Sequence, residues 1–470
     1  MSVNPSPSNI DTLAGLTEYA WSPQPAAANL VHTLLDECLR DCQFAANLSN
    51  RMLNATGTRL VDWLDHFGLP ANHPTVSQLP KVGYELVPQS SDVWEHRAGL
   101  LPRIRVHSGA ARNLAIKVES VVDFLTAHRL SDTEIVGPPF AAVRTAKVAS
   151  NGKADENQVE VWIVERHGSL AFAADPQELL PLAAILRHSE AFRLRRRDYE
   201  RDEEGYAQAF QLVESAIIDL GRDRTCELFF AAEREYWLHR NRAGQIQKAR
   251  QDTLGLGWAN HDHHTYRSSR HCFSLLIAFL ERLGFVCRER FYAGREAGWG
   301  AQVIEHPVTG VTIFADVDLS PEEVSHDFAH QSLSPRNELG TVGLWCALHG
   351  EAFLQAGMHH LECQFDFSAT REQLKQAGIE TMPPFTDYPY LKQAFTKGEI
   401  WPVRTERVEH LRDAKLINAQ QAQQFLTHGA LGSHMEILQR NDGYKGFNQA
   451  GINQIIAATD PRRASVPESS

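Results

Sequence analysis

The chain has 470 residues, 43% of them hydrophobic and 22% charged. A single core stops growing near ~250 to 300 residues, so two or more packed units are expected. Lys and Arg number 46 against 58 Asp and Glu, a net charge of -12 with no long basic tract, which argues against a nucleic-acid groove or an anionic membrane surface as partner.

No apolar run approaches the roughly 18 residues of a bilayer span, and the start, MSVNPSPSNIDTLAG, has neither the basic nor the apolar region of a signal peptide. Seven cysteines, an odd number scattered along the chain, do not form a disulfide framework; Cys38 and Cys42 read as buried thiols. A soluble protein of the reducing cytoplasm is expected, with no membrane partner and a homo-oligomeric state left open.

The first ten or so residues are small and polar, as are residues 463–470, and both read as disordered tails. From Asn29 to Phe67 apolar residues recur at helical spacing (Leu30, Leu34, Leu35, Cys38, Leu39, Cys42). Near Leu114 the texture changes. NLAIKVES alternates like a strand, VVDFLTAHRL reads as a short helix, and PPFAAVRTAKVA and QVEVWIVERHG read as strands around the turn SNGKADEN. Helical patterns return from Asp175 to about Leu254, where LRRRDYERDEEGYAQAF is a solvated face.

After Gly257 the strand-helix-strand texture recurs twice. WANHDHHTYR is a strand, SSRHCFSLLIAFLERLGF a helix stopped at Gly284, and VCRERFYAG, WGAQVIEHP and GVTIFADVDL are three strands, giving βαβββ. The second unit opens with the strand MHHLECQFDF and the helix SATREQLKQAGI. PFTDYPYLKQAF and KGEIWPVR supply less regular connections, and the helix INAQQAQQFLTHGA precedes a last strand, SHMEILQR. GFNQAGINQIIAATDP closes the chain as an apolar-periodic helix.

The 22 histidines bunch where strands are expected, at His261, His263 and His264 and at His359 and His360. Alternation places His261, His263, Thr265 and Arg267 on one face and His264 and Tyr266 on the other. His360, Glu362 and Gln364 share a face, as do His434, Glu436, Leu438 and Arg440, while Gln439 points away from Glu436. Each of three strands can thus turn an imidazole or carboxylate inward. Two imidazoles and one carboxylate on one face of Fe(II) leave three adjacent positions open. The spacing alone does not demand a metal, and His261, His264 and His359 read as structural. Tyr292, Trp299 and Phe314 read as core.

The stretch from Trp258 to Pro461 resembles the paired βαβββ modules of the vicinal oxygen chelate (glyoxalase/dioxygenase) superfamily. SHMEILQR followed by KGFNQAGINQIIAA is similar to the end of 4-hydroxyphenylpyruvate dioxygenases, and GMHHLEC and NHDHHTYR are similar to that family's two histidine strands. The resemblance implies metal ligands His263, His360 and Glu436. A His-x-x-x-Arg strand, here His263 to Arg267, also resembles the 2-oxoadipate dioxygenase/decarboxylases, whose Arg contacts a substrate carboxylate. Their Glu-x-x-Gln-Arg strand matches Glu436, Gln439 and Arg440. Arg267 lies about 13 Å along the strand from His263, and its side chain can curl back.

The expected architecture is α+β. A helical region spans 1–110, and a degenerate strand-helix-strand module with linking helices spans 111–256. Metal-binding modules at 257–350 and 351–462, the second ending in the closing helix, curl a mixed sheet around the metal, and 463–470 is a tail. The resemblance implies a mononuclear Fe(II) dioxygenase that uses O2 to decarboxylate and hydroxylate a small 2-oxo acid. No flavin, haem or nicotinamide motif is present. Arg267, Gln439, Phe447 and Asn448 are candidate substrate contacts, the last two in a lid; Glu362, Gln364 and Arg440 are candidates for orienting the ligands or handling protons. Three alternatives stay open: an extradiol catechol dioxygenase, a non-redox lyase or isomerase using another metal, and a ligand-binding protein on the same scaffold.

Overall fold

The computed structural model describes residues 21–88, 90–150, 158–448 and 460–462. Helices α1 (Pro25–Asp41) and α2 (Gln43–Thr56) bury the stripe formed by Leu30, Val31, Leu34, Leu35 and Cys38 with Leu48 and Met52. Cys38 and Cys42 are buried free thiols, and all seven cysteines are free. Gly57 ends α2 in the left-handed region at φ 66. Its carbonyl accepts the Thr370 hydroxyl, and a side chain there would collide with the Thr370 backbone, so only glycine lets the two segments meet.

The first sheet contains β1 (Leu64–Pro70), β2 (Glu85–Leu86), β3 (Val93–Glu95), β4 (Arg103–His107), β5 (Arg112–Lys117), β6 (Ile135–Val136), β7 (Val143–Ser150) and β8 (Val159–Arg166). Helix α3 (Val121–Ala127), capped by the Ser120 hydroxyl, follows β5, and a 3-10 helix (Pro74–Val82) follows β1. The order is β2-β3-β4-β1-β5-β8-β7-β6. β1 pairs parallel with β4 and β5 parallel with β8, while β1 and β5 meet antiparallel. Two strand-helix-strand-strand-strand units thus lie back to back.

This corrects the expectation of one degenerate module preceded by a helical region over 1–110. Among the described residues of that region α-helix is confined to α1 and α2, and β1 to β4 form the additional unit. Strands of two and three residues, such as β2 and β3, are too short to show alternation.

Helices α4 (Leu182–Leu194), α5 (Asp202–Leu220), α6 (Arg222–Leu238) and α7 (Arg242–Asp252) lead to the second sheet, as the helical patterns predict. Its first unit is β9 (His261–Arg267), α8 (Phe273–Leu283), β10 (Val286–Tyr292), β11 (Trp299–Glu305) and β12 (Thr312–Asp318). Two helices follow, α9 (Pro321–Val324) and α10 (Thr341–His349). The second unit is β13 (His360–Gln364), α11 (Phe367–Gln376), β14 (Thr386–Tyr388), β15 (Leu391–Phe395), β16 (Glu399–Trp401), α12 (Thr405–Asp413), α13 (Ala419–His428) and β17 (Ala430–Arg440).

The order β10-β11-β12-β9-β13-β17-β15-β14 repeats the plan of the first sheet, with β16 paired to β17. The stretch expected as irregular connection forms β14, β15 and β16. Of the predicted closing helix, 446–461, the central residues 449–459 lie outside the described residues, as do both tails.

One face of this sheet is sealed by α6 and α8. Phe229, Phe230, Phe279 and Phe353 interlock edge to face with Tyr266, and Leu276, Ile277, Leu280 and Leu283 fill the space beneath. Each such side chain contributes roughly 1.5–3 kcal/mol on burial. Apolar residues fix that face, so alternation turns the polar set of β9, β13 and β17 to the other. No helix among the described residues is long and apolar enough to cross a membrane.

Candidate metal centre

β9, β13 and β17 are adjacent. His360 pairs with Thr265 across one interface, and His360 and Glu362 pair with His434 and Glu436 across the other. His263, Glu362 and Glu436 therefore bring one ligand atom each to within 4.8 Å of one another, all buried. The Glu362 Oε1 atom lies 2.7 Å from both His263 Nε2 and His360 Nε2, and His360 Nε2 lies 3.8 Å from Glu436 Oε2. The three residues implied as ligands converge with Glu362 at their centre, where it also accepts the Thr265 hydroxyl at 3.3 Å.

Burial pushes the His263 imidazole down to about 4 and His360 well below its ordinary value, so both present neutral nitrogen lone pairs. Burial pushes Glu436 up to about 7, and burial together with the Glu436 charge raises Glu362 well above the carboxylate range. Two neutral imidazoles and two crowded carboxylates suit a divalent cation, whose charge would remove the repulsion. Buried and without a hydrogen-bond partner around them are Glu362 Oε2, Gln393 Oε1, His360 Nδ1 and His434 Nε2. Unpaired buried polar atoms are rare in a finished interior and mark a place for a guest.

A second layer holds the donors. His263 Nδ1 donates to Asp262 Oδ1 at 2.9 Å, which leaves Nε2 free to face the centre. Arg440 clamps Asp262 through Nε at 2.9 Å and Nη2 at 2.9 Å, and the Gln364 amide donates to Oδ2 at 2.9 Å. Burial opposes the Asp262 charge, but the Arg440 guanidinium and the His263 N–H outweigh it and hold the carboxyl well below its usual range. On β15, the Gln393 amide donates to Glu436 Oε1 at 2.8 Å. Asp262 and Gln393 were not singled out from the sequence. Asp262 directly precedes His263, whereas β15 shows no readable alternation.

The remaining candidates divide. Arg267 is buried on the ligand face, its Nε 4.0 Å from Asp316 and its guanidinium 5.6 Å from the Trp345 ring. Phe447 packs on His263 and Phe314 with ring centroids 5.0 and 4.4 Å apart, and the Arg288 and Arg440 guanidiniums stack on it. Phe314, expected as plain core, is therefore also a wall of the site. Gln364 and Arg440 touch Asp262 rather than the centre.

Gln439 faces away, as alternation predicts; its carbonyl oxygen accepts the Phe367 N–H at the start of α11. Asn448 donates to the Thr386 hydroxyl. His264 lies under Phe230 and Arg234, and His261 and His359 bond to the Trp258 and Gly432 carbonyls, the structural places expected of them.

No family model matches the chain, and no curated protein matches it significantly. Among solved structures, a putative hydrolase from Shewanella frigidimarina is 17% identical over 47% of this chain and 96% of its own, with a TM-score of 0.32. A putative glyoxalase superfamily protein from Ralstonia eutropha is 14% identical over 56% of this chain and 97% of its own, TM-score 0.31. A mutant 4-hydroxymandelate synthase from Streptomyces coelicolor is 12% identical over 86% of this chain and 99% of its own, TM-score 0.30. At these values none of the three decides the family, activity or ligand of this chain.

Proposed function

We propose that the chain is a mononuclear non-haem Fe(II) dioxygenase that oxidatively decarboxylates and hydroxylates a small 2-oxo acid. The observation that carries this reading is the buried cluster of His263, Glu362 and Glu436 with His360 beside it, on three neighbouring strands, of which His263, His360 and Glu436 are taken as the ligands. Iron bound by these residues would supply the reducing electrons for O2 chemistry.

The chain's own residues do the rest. Asp262 fixes the His263 tautomer and Gln393 fixes one oxygen of Glu436, so the donors stay aligned. Arg267 grips the substrate carboxylate with its planar fork. Glu362, 2.7 Å from both imidazoles and with Oε2 lacking a hydrogen-bond partner, is placed to give or take a proton there. Phe314 and Phe447 keep water from the His263 side.

The test is anaerobic purification, metal analysis, and O2 uptake with CO2 release across a panel of 2-oxo acids. Zinc as the sole activating metal, or no O2 uptake with any of them, refutes the proposal. Ring fission of catechols would move it to the extradiol class.

One observation favours a second reading. Glu362 touches both imidazoles. If it served as a fourth ligand, only two positions would stay open, which suits a Lewis-acid lyase or isomerase. Metal affinity separates the two: Glu362→Gln weakens it about tenfold or more if Glu362 is a ligand and leaves it nearly unchanged otherwise.

A further inference from the structure

Resting on the reading of this chamber as a carboxylate-binding metal site, we propose that Asp316 is a specificity-determining residue. Together with Arg267 it recognises a substrate end that carries a carboxylate and, on the adjoining carbon, a hydroxyl or ammonium donor.

Arg267 and Asp316 are direct partners on the parallel strands β9 and β12. Their side chains fall on the ligand face, Arg267 two residues beyond Thr265 and Asp316 two beyond Phe314. Both residues are 3% exposed. Yet they are joined by a single 4.0 Å contact, and Arg267 Nε, Arg267 Nη1 and Asp316 Oδ1 have no hydrogen-bond partner.

The Arg440–Asp262 pair shows how this chain closes a buried ion pair with its own side chains, Nε and Nη2 engaging both carboxylate oxygens and Gln364 adding a further bond to Oδ2. Arg267 and Asp316 instead keep Nε, Nη1 and Oδ1 without a partner on the ligand face. Burial raises Asp316 to about 8 against the pull of Arg267, so above that pH a plain carboxylate satisfies the guanidinium and faces an Asp316 oxygen with nothing to give it. An isolated amine does the reverse. A carboxylate with a neighbouring O–H or N–H answers both. The Trp345 ring behind Arg267 supplies a flat wall against which such an end lies.

The probes are succinate, malate and aspartate, identical in carbon chain and differing in a hydrogen, hydroxyl or ammonium beside one carboxylate. Their binding to metal-free protein is measured by calorimetry. Malate and aspartate are expected to bind wild type about tenfold more tightly than succinate, a difference of about 1.4 kcal/mol. Asp316→Val removes that preference while succinate binding stays. Should Asp316→Val not fold, Asp316→Asn keeps the shape, and aspartate loses its advantage over succinate.

Equal binding of the three to wild type, no binding of any at millimolar concentration, or an unchanged preference in the variants overturns the inference. Iron uptake and O2 consumption with 2-oxo acids are read separately, so the proposed function can stand when Asp316 proves to be no more than the partner of Arg267, and the reverse.

Discussion

Replacing Asp262 with Asn tests whether the imidazole it holds is a ligand. Asp262 Oδ1 accepts the His263 Nδ1–H at 2.9 Å, and Arg440 and Gln364 hold that carboxylate in place. Asn keeps the shape and an oxygen for Arg440, but it removes the charge that fixes the His263 tautomer. Loss of such an outer partner costs about 10- to 100-fold in metal affinity, or about 1.4 to 2.7 kcal/mol. Asp262→Ala is a poorer choice, since it strands the buried Arg440 guanidinium at a cost of about 3–5 kcal/mol in stability. The assay is competition between the protein and a chromophoric chelator for Zn2+ and, under anaerobic conditions, Fe2+, with circular dichroism to confirm the fold. A folded Asp262→Asn protein within about twofold of wild-type affinity would refute the role of His263, because a true ligand feels the loss of its partner.

Three further outcomes are expected. Glu436 is pushed up to about 7 by burial, so its contribution to the metal-free fold is fully present below about 4.5 and lost as pH rises through about 7. The lowered imidazoles His263 and His360 act in the opposite sense over the same range, so the test is a difference: without metal, the thermal midpoint of wild type should fall relative to Glu436→Gln between about pH 4.5 and 7, and a difference that stays constant would contradict it. Arg267→Ala should raise KM about tenfold or more while bound metal is unchanged, and an unaltered KM would remove Arg267 from substrate binding. Gln393→Leu should weaken metal binding by less than Asp262→Asn, because it frees an oxygen of Glu436 without disturbing a tautomer; a larger loss would mean that Glu436 is the dominant ligand.

The second sheet was legible where runs were long. The seven-residue strands β9 to β12 stand out between Gly and Pro breaks, and α8 carries a broad apolar face with a glycine stop. Period-two alternation within β9, β13 and β17 set the faces carrying His263, His360 and Glu436. Legibility failed with length: β2, β3, β14 and β16 have two or three residues, held by their neighbours rather than by local pattern.

Gln393 was invisible because its five-residue strand β15 shows no readable alternation and was not recognised. Asp262 failed differently. Strict alternation points it away from His263, but the β9–β13 pairing shifts register between Leu361 and Cys363, and the irregularity lets the Asp262 carboxylate reach the neighbouring ring. Glu362 was seen on the correct face; its place between the two imidazoles depends on side-chain reach that no pattern encodes.

The two sheets share one plan, and comparing them position by position shows why only one can hold a cation. His66 pairs with Ala115 as Thr265 pairs with His360. Ala115 and Lys117 pair with Trp162 and Val164 as His360 and Glu362 pair with His434 and Glu436. The first sheet therefore sets an alanine, a lysine, an indole and a valine where the second sets two imidazoles and two carboxylates. Lys117 lies where Glu362 would be, and burial lowers its ammonium while Asp65, Asp62 and Asp262 draw it up, so its charge serves the junction of the two halves rather than a ligand. Metal stoichiometry should accordingly be one per chain. The double variant His263→Ala and His360→Ala should fall to zero, although the first sheet is untouched. Residual stoichiometric binding in that variant would mean that the centre lies elsewhere, and no rearrangement of Ala115, Trp162 and Val164 could supply the missing donors.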